Sequence, residues 1–512
     1  MTLKDLQRVN YTLLATGICW VAAPLAAIQK PSTGPTSAET TFQRTERAPR
    51  DGKLSDGLHP CRVPALDALA TLCATIPVRE NRAIPNGRKL ALRVVVIPPD
   101  SGAELRDPIV PVPGGPGGGV INAGNAWAGI LKAARGHRAL VLLDPRGAAQ
   151  SGALDCDFSD GPAHPGSYVS DFAPPAKVRE CAATLSRVAD LTQYTTETIA
   201  ADLAEVLTAL GYQKVNLYGV SGGTRQAFVF AQRYPSRVRT LTLGGVVAPG
   251  FRLPLPYARD FERSLDLLYG DCVKNPACHA AYPDPRGELT RVLARLERTP
   301  ARVPVQVPGG RSDTARVTRS IFAERIRSML YSPSLAATVP YVVHRAAAGD
   351  YLPFVAPLVP GLGAPTGGDG VAMGHYLSVT CAEDVDRIPE SERAAAAQGT
   401  LLGDYRVQQQ VDACKLWPHA KLPEAHFNYR TLNVPALLIS GDADPVTPPR
   451  WAESIKRYLP SARHVVFPTG WHVPVGTSCA ARLATQFILA GDARGLDVSC
   501  AATLTRGPFK LP

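Results

Sequence analysis

Five hundred and twelve residues are more than one apolar core usually organises, so the chain is expected to hold a large domain with a sizeable insertion, or two domains. Apolar residues at 45% and charged residues at 19% mark a globular protein and exclude both wholesale disorder and a polytopic membrane protein. The net charge of +11 shows no dense Lys/Arg stripe interleaved with aromatics, so it reads as solubility and attraction to anionic surfaces, and no nucleic-acid partner is expected.

Lys4 and Arg8 precede an uncharged, largely apolar run from Tyr11 to Ile28, and Lys30 follows it. That pattern predicts a secretory signal peptide over residues 1–30 and a periplasmic or secreted protein. The run is slightly shorter than the roughly 20 residues that cross a bilayer, and an uncleaved membrane tether is the alternative. Residues 31–58 have no helical or strand period and read as a linker. Beyond Cys19, ten cysteines fall into couples that are close in sequence: 61 with 73, 156 with 181, 272 with 278, 381 with 414 and 479 with 500. In an exported chain these read as up to five disulfides. No C-x2-C pair occurs, so no metal site is expected.

Taken in order, strands are predicted at Leu90–Ile97, Pro108–Val112 and Arg138–Leu143, the second running into the glycine cluster of residues 114–119. A helix with Thr196 as its N-cap uses Ile199, Leu203, Val206, Leu207 and Leu210 as its apolar face and stops at Gly211. The strand Lys214–Tyr218, the turn Gly219-Val-Ser-Gly-Gly223, a helix to Tyr234 and the strand Arg239–Leu243 come next. Residues 251–430 break the alternation and read as helical segments joined by Pro/Gly-rich loops. A strand over Val434–Ser440, a helix near 451–458, a strand over Arg463–Phe467 and a helix over Ala480–Leu489 complete the pattern. The expectation is an α/β fold: a mostly parallel sheet flanked by helices, with core parts at 59–250 and 431–512 and a mainly helical cap at 251–430.

The chemistry sits where strands end. In Gly219-Val-Ser-Gly-Gly223 the glycines permit a sharp strand-to-helix turn that lifts the Ser221 hydroxyl clear, with a helix N-terminus behind it. A serine nucleophile needs a base, and the base an acid to hold its tautomer. Two histidines follow the loop Gly441-Asp-Ala-Asp-Pro445; His464 lies inside a strand, whereas His472 follows a strand end in a glycine-bearing loop and is taken as the base. Asp444 is preferred to Asp442 as the acid, Asp442 being a candidate turn cap. The N–H groups of Gly115 and Gly222 are the candidate oxyanion donors.

Gly-Gly-Pro-Gly117, Asp144-Pro-Arg-Gly147, Gly219-Val-Ser-Gly-Gly223, Asp444-Pro-Val-Thr-Pro448 and the Cys479–Cys500 tail together resemble the α/β-hydrolase group of proline iminopeptidases and secreted tripeptidyl aminopeptidases. The resemblance implies a serine exopeptidase acting on free amino termini, with a helical cap and no metal or organic cofactor. It also implies cap carboxylates that hold the substrate ammonium, for which Glu383 and Asp384 are candidates. Gly222 stands where the group usually carries Tyr or Trp, which leads one to expect a larger pocket beside Ser221. A carboxylesterase with the same triad, acting on small esters rather than peptides, is the alternative, and a non-catalytic binding protein a weaker one.

Overall fold

The computed structural model describes residues 57–101, 104–308, 312–362 and 370–512. The expected signal segment 1–30, and nearly all of the linker 31–58, lie outside the described residues. The strands are β1 (His59–Cys61), β2 (Thr71–Arg79), β3 (Lys89–Ile97), β4 (Leu105–Val112), β5 (Arg138–Leu143), β6 (Val215–Val220), β7 (Val238–Gly244), β8 (Ala301–Gln306), β9 (Ser312–Val317), β10 (Ala436–Gly441) and β11 (Ala462–Phe467). Nine of them form one sheet in the order β1-β2-β3-β5-β4-β6-β7-β10-β11. From β5 onward all neighbours are parallel, while β1, β2 and β3 add an antiparallel edge. The sequence pattern does not announce β1 and β2; Pro77 interrupts the β2 run and argues against a strand.

The central strands β5, β6 and β10 are buried at every position because both faces of the sheet are covered. Val94, Val96 and Leu438 face one cluster, packed by Leu203, Leu207 and Phe228 from the helices Thr196–Ala209 and Gly222–Arg233. Val95, Ile97 and Ile439 face the other, packed by Trp127 from Gly124–Ile130 and Phe487 from Ser478–Ala490. Thr195, rather than Thr196, caps its helix: Thr195 Oγ1 accepts the Thr198 N–H at 3.3 Å, whereas the Thr196 hydroxyl donates to Glu383.

A third apolar cluster lies above the sheet, built mostly from the chain between β7 and β10. It departs from a simple run of helices in two respects. Ala301–Gln306 and Ser312–Val317 pair as the antiparallel ribbon β8–β9, with Val303, Val305, Ala315 and Val317 buried; Pro304, which obscures the strand pattern, sits at an exposed position. The segment after β5 also joins the cap, because Val178, Ala182 and Leu185 of the helix Pro175–Leu185 share its cluster with Val407 and Val411 of Tyr405–Leu416.

Five disulfides pair the ten cysteines as neighbours in sequence, with Cα–Cα distances from 5.2 to 5.7 Å. After Cys500 the chain crosses from sheet to cap. Leu504 O accepts the Thr469 hydroxyl beside β11, Arg506 Nε pairs with Asp271 at 3.0 Å, and Lys510 N–H donates to Ala337 O at 3.0 Å. Among the described residues no helix is long and apolar enough to cross a membrane.

Candidate active site

β6 ends at Val220, and the chain reverses through Ser221 into the helix Gly222–Arg233. Ser221 holds φ 50° and ψ −126°, a conformation that costs a non-glycine residue about 1–3 kcal/mol. Its neighbours are glycine by necessity. A Cβ at Gly223 would lie 2.3 Å from Val112 O, and one at Gly222 would lie 2.6 Å from Gly115 O. The second distance corrects the expectation of a larger pocket: the space beside Ser221 is filled by the backbone of the glycine loop. That loop is fixed from β5, since Asp144 Oδ1 accepts the N–H groups of Val120 and Ile121 at 2.7 and 3.1 Å.

β10 and β11 deliver the other two groups. His472 Nε2 lies 2.9 Å from Ser221 Oγ, and His472 Nδ1 lies 2.8 Å from Asp444 Oδ2. Asp444 is fully buried, and its Oδ1 accepts the N–H groups of Val446 and Thr447, both at 2.8 Å, while Oδ2 accepts the Thr447 hydroxyl at 2.8 Å. Burial pushes this carboxyl up, but the charge and hydrogen bond of His472 and the Thr447 donors outweigh it and hold Asp444 below the usual aspartate range. An ionised Asp444 accepts only, so His472 carries its proton on Nδ1 and offers a bare Nε2 to the serine hydroxyl. The arrangement can withdraw a proton from Ser221 and stabilise the resulting imidazolium.

Asp442 is not part of this set; it pairs with Arg263. His464 makes a look-alike, with Nε2 2.9 Å from Ser440 Oγ and Nδ1 2.6 Å from Glu453 Oε1, but Ser440 is fully buried in β10 and does not line the cavity on which Ser221 and His472 open. Glu383 and Asp384 are brought elsewhere than expected. Both are buried; Asp384 Oδ1 and Oδ2 accept from Arg225 at 2.7 and 3.0 Å, and Glu383 accepts the Thr196 N–H and hydroxyl at 2.6 and 2.7 Å. Neither borders the cavity, so the candidate ammonium clasp is corrected to an internal brace between the cap and the nucleophile helix, on which Arg225 sits.

Ser221, His472, Gly114 and Gly115 lie in the wall of a cavity of about 770 Å³ roofed by the cap. The Tyr331 ring packs edge-on to the His472 imidazole, with centroids 4.8 Å apart, and Arg327 Nη1 donates to its hydroxyl at 3.1 Å. Sequence reasoning missed Tyr331 and Arg327 because nothing in the local pattern of the cap relates them to a serine a hundred residues earlier. Thr447 was recoverable: Asp-x-x-Thr is a spacing that closes a side-chain turn.

Residues 107–308 match the family described as alpha/beta hydrolase fold, and residues 399–500 match the family described as TAP-like protein. Over 464 residues the chain is 25% identical to serine protease Hip1 of Mycobacterium tuberculosis, covering 82% of this chain and 85% of that protein. Over 471 residues it is 26% identical to a tripeptidyl aminopeptidase of Streptomyces lividans, covering 85% and 84%. A crystal structure of proline iminopeptidase from Mycobacterium smegmatis aligns with a TM-score of 0.34 at 16% identity, covering 82% of this chain and 99% of that one. The chain has the α/β-hydrolase fold with a closing segment similar to the TAP-like family, and it is a serine hydrolase.

Proposed function

We propose that the protein is an exported aminopeptidase that releases N-terminal residues or short peptides through an acyl-enzyme on Ser221. The observation that carries this reading is the unbroken relay from Ser221 Oγ through both nitrogens of His472 to Asp444, at 2.9 and 2.8 Å, in the wall of the roofed cavity. His472 Nε2 takes the hydroxyl proton as Oγ bonds to the amide carbon, and Asp444 holds the imidazolium. The N–H groups of Gly115 and Gly222 receive the oxyanion. His472 then gives its proton to the leaving amine as the C–N bond breaks. Water repeats the sequence: it loses a proton to His472, attacks the ester carbon, and the proton returns to Ser221 as the acid departs. The similarity to a tripeptidyl aminopeptidase supports a peptide substrate, and the five disulfides support an oxidising compartment outside the cytoplasm.

Carboxylesterase activity is the second reading, favoured by the withdrawal of Glu383 and Asp384 onto Thr196 and Arg225. A panel of chromogenic peptides with free and blocked amino termini, alongside simple esters, separates the two. Faster cleavage of the peptides with a free amino terminus than of their blocked counterparts is the expected result; hydrolysis of esters alone establishes the esterase.

A further inference from the structure

The acyl-transfer chemistry uses the floor of the cavity, where Ser221 and His472 sit among apolar side chains such as Trp127 and Val220. The roof is chemically different. The helices Arg319–Met329 and Tyr405–Leu416 bring Glu324, Arg325, Arg327 and Arg406 to the same space. Arg327 already holds that carboxylate with both prongs, Nη2 to Oε1 at 2.6 Å and Nε to Oε2 at 2.9 Å, while its guanidinium lies 4.3 Å over the Tyr257 ring. Arg406 Nε stands 3.7 Å from the same Oε1, outside hydrogen-bond reach.

Arg406 is held rigidly. It is 3% exposed, its guanidinium lies 3.4 Å over the Phe172 ring, and its two Nη groups donate to Gln410 Oε1 and the Tyr376 hydroxyl at 2.8 and 2.9 Å. Its Nε is buried without a hydrogen-bond partner. Burial brings the neighbouring Arg325 down to about 10, against which Glu324 pulls up. Two further acids border the cavity, but Asp155 and Asp157 are exposed and turn their carboxylates onto the N–H of Cys156 and onto Ser159. Among the described residues Arg327 and Arg406 share the single carboxylate of Glu324, and a buried cation is stabilised by an anion brought to it.

We propose that this cavity selects substrates bearing a carboxylate, held at Arg406 and its neighbouring guanidinium groups while the scissile carbonyl lies against Ser221. The inference rests on the hydrolase reading above and names the substrate class of that same site. The carboxylate has two sources with one chemistry: the acyl portion, as an acidic side chain or the second carboxyl of a diacid, or the departing portion, as the free C-terminus of a short peptide.

Two matched pairs separate them. One compares the glutaryl 4-nitrophenyl ester with its neutral glutaramyl analogue; the other compares butyryl esters of 4-hydroxybenzoate and 4-hydroxybenzamide. A hydrogen-bonded charge contributes about tenfold to a hundredfold in kcat/KM, which is the advantage expected for the charged member of one pair. Arg406→Gln is expected to collapse that ratio. Equal rates within both pairs, or a charged-to-neutral ratio that Arg406→Gln leaves unchanged, overturn the proposal. Calorimetric binding of glutarate against glutaramide to the Ser221→Ala protein gives a readout that does not depend on turnover or on the folding of Arg406→Gln. Binding of glutarate alone upholds the anion site; equal binding, or none, overturns it. Turnover surviving in Ser221→Ala would instead defeat the hydrolase mechanism, whichever way glutarate binds.

Discussion

Replacing Asp444 by Asn keeps the volume of the side chain and removes its charge, and the surrounding hydrogen bonds decide how the new amide must sit. The Oδ1 position faces two backbone donors at 2.8 Å, the N–H groups of Val446 and Thr447, which cannot turn away. The new amide must therefore keep its oxygen there and place its NH2 where Oδ2 stood, 2.8 Å from His472 Nδ1. That NH2 donates, so Nδ1 becomes the acceptor and the ring proton moves to Nε2, against the Ser221 hydroxyl. A base in the wrong tautomer loses about four orders of magnitude in kcat, about 5 kcal/mol of barrier. The expected result for Asp444→Asn is such a loss at neutral pH with a thermal unfolding midpoint close to the parent's. Stopped-flow hydrolysis of an activated ester, with circular dichroism on the same sample, measures both. Activity within tenfold of the parent in folded protein would refute the assignment of Asp444.

A fluorophosphonate probe should label Ser221 and not Ser440, although each has a histidine nitrogen 2.9 Å away, because only Ser221 faces the cavity; peptide mapping of the adduct decides this. Arg225→Met strands Asp384 and Glu383, and loss of one partner of a buried ion pair should lower unfolding free energy by about 3–5 kcal/mol in urea titration. His375 is fully buried with Nδ1 2.8 Å from Arg146 O, and burial brings its pKa down to about 4. Between the unfolded value of about 6.5 and that folded value the unfolded chain binds the extra proton, so about 3 kcal/mol of stability drains away as pH falls through the window. Unfolding midpoints of His375→Asn should vary less across that interval; parallel curves would contradict the attribution. The double change Cys381→Ser with Cys414→Ser, which frees the helices carrying Tyr376 and Arg406, should cost about 2–4 kcal/mol, read from the same titrations.

Ser221, Asp444 and His472, which the structure brings within hydrogen-bond reach of one another, could be singled out in the sequence because each stands shortly after a β-run, and strand ends announce themselves through Gly, Asp and Pro. Ser221 lies beside glycines that the Val112 carbonyl and the Gly115 loop leave no room to replace, so the motif and the steric demand are the same fact. The roof left no such trace. Glu324, Arg327, Tyr331 and Arg406 acquire their meaning only when helices about eighty residues apart in sequence close over the serine. The misplacement of Glu383 and Asp384 has the same origin. A sequence shows two adjacent acids but not Arg225, one turn along the nucleophile helix, which occupies Asp384 and stands 3.6 Å from Glu383. β8 is hidden in the sequence by Pro304, whose missing N–H matters little at an exposed position of a two-stranded ribbon but argues against a strand in any window of sequence.

The crossing segment beyond Cys500 sets an order of events on the ribosome. Leu504, Arg506 and Lys510 emerge after every element they grip, the β11 exit, the long helix Tyr257–Lys274 and the stretch at Ala337. His472 also emerges some 250 residues after Ser221. Through about half of its synthesis, therefore, the nascent chain carries a serine with neither its base nor a fastened lid. Hydrolytic competence arrives last, a latency written into the direction in which the polypeptide is made.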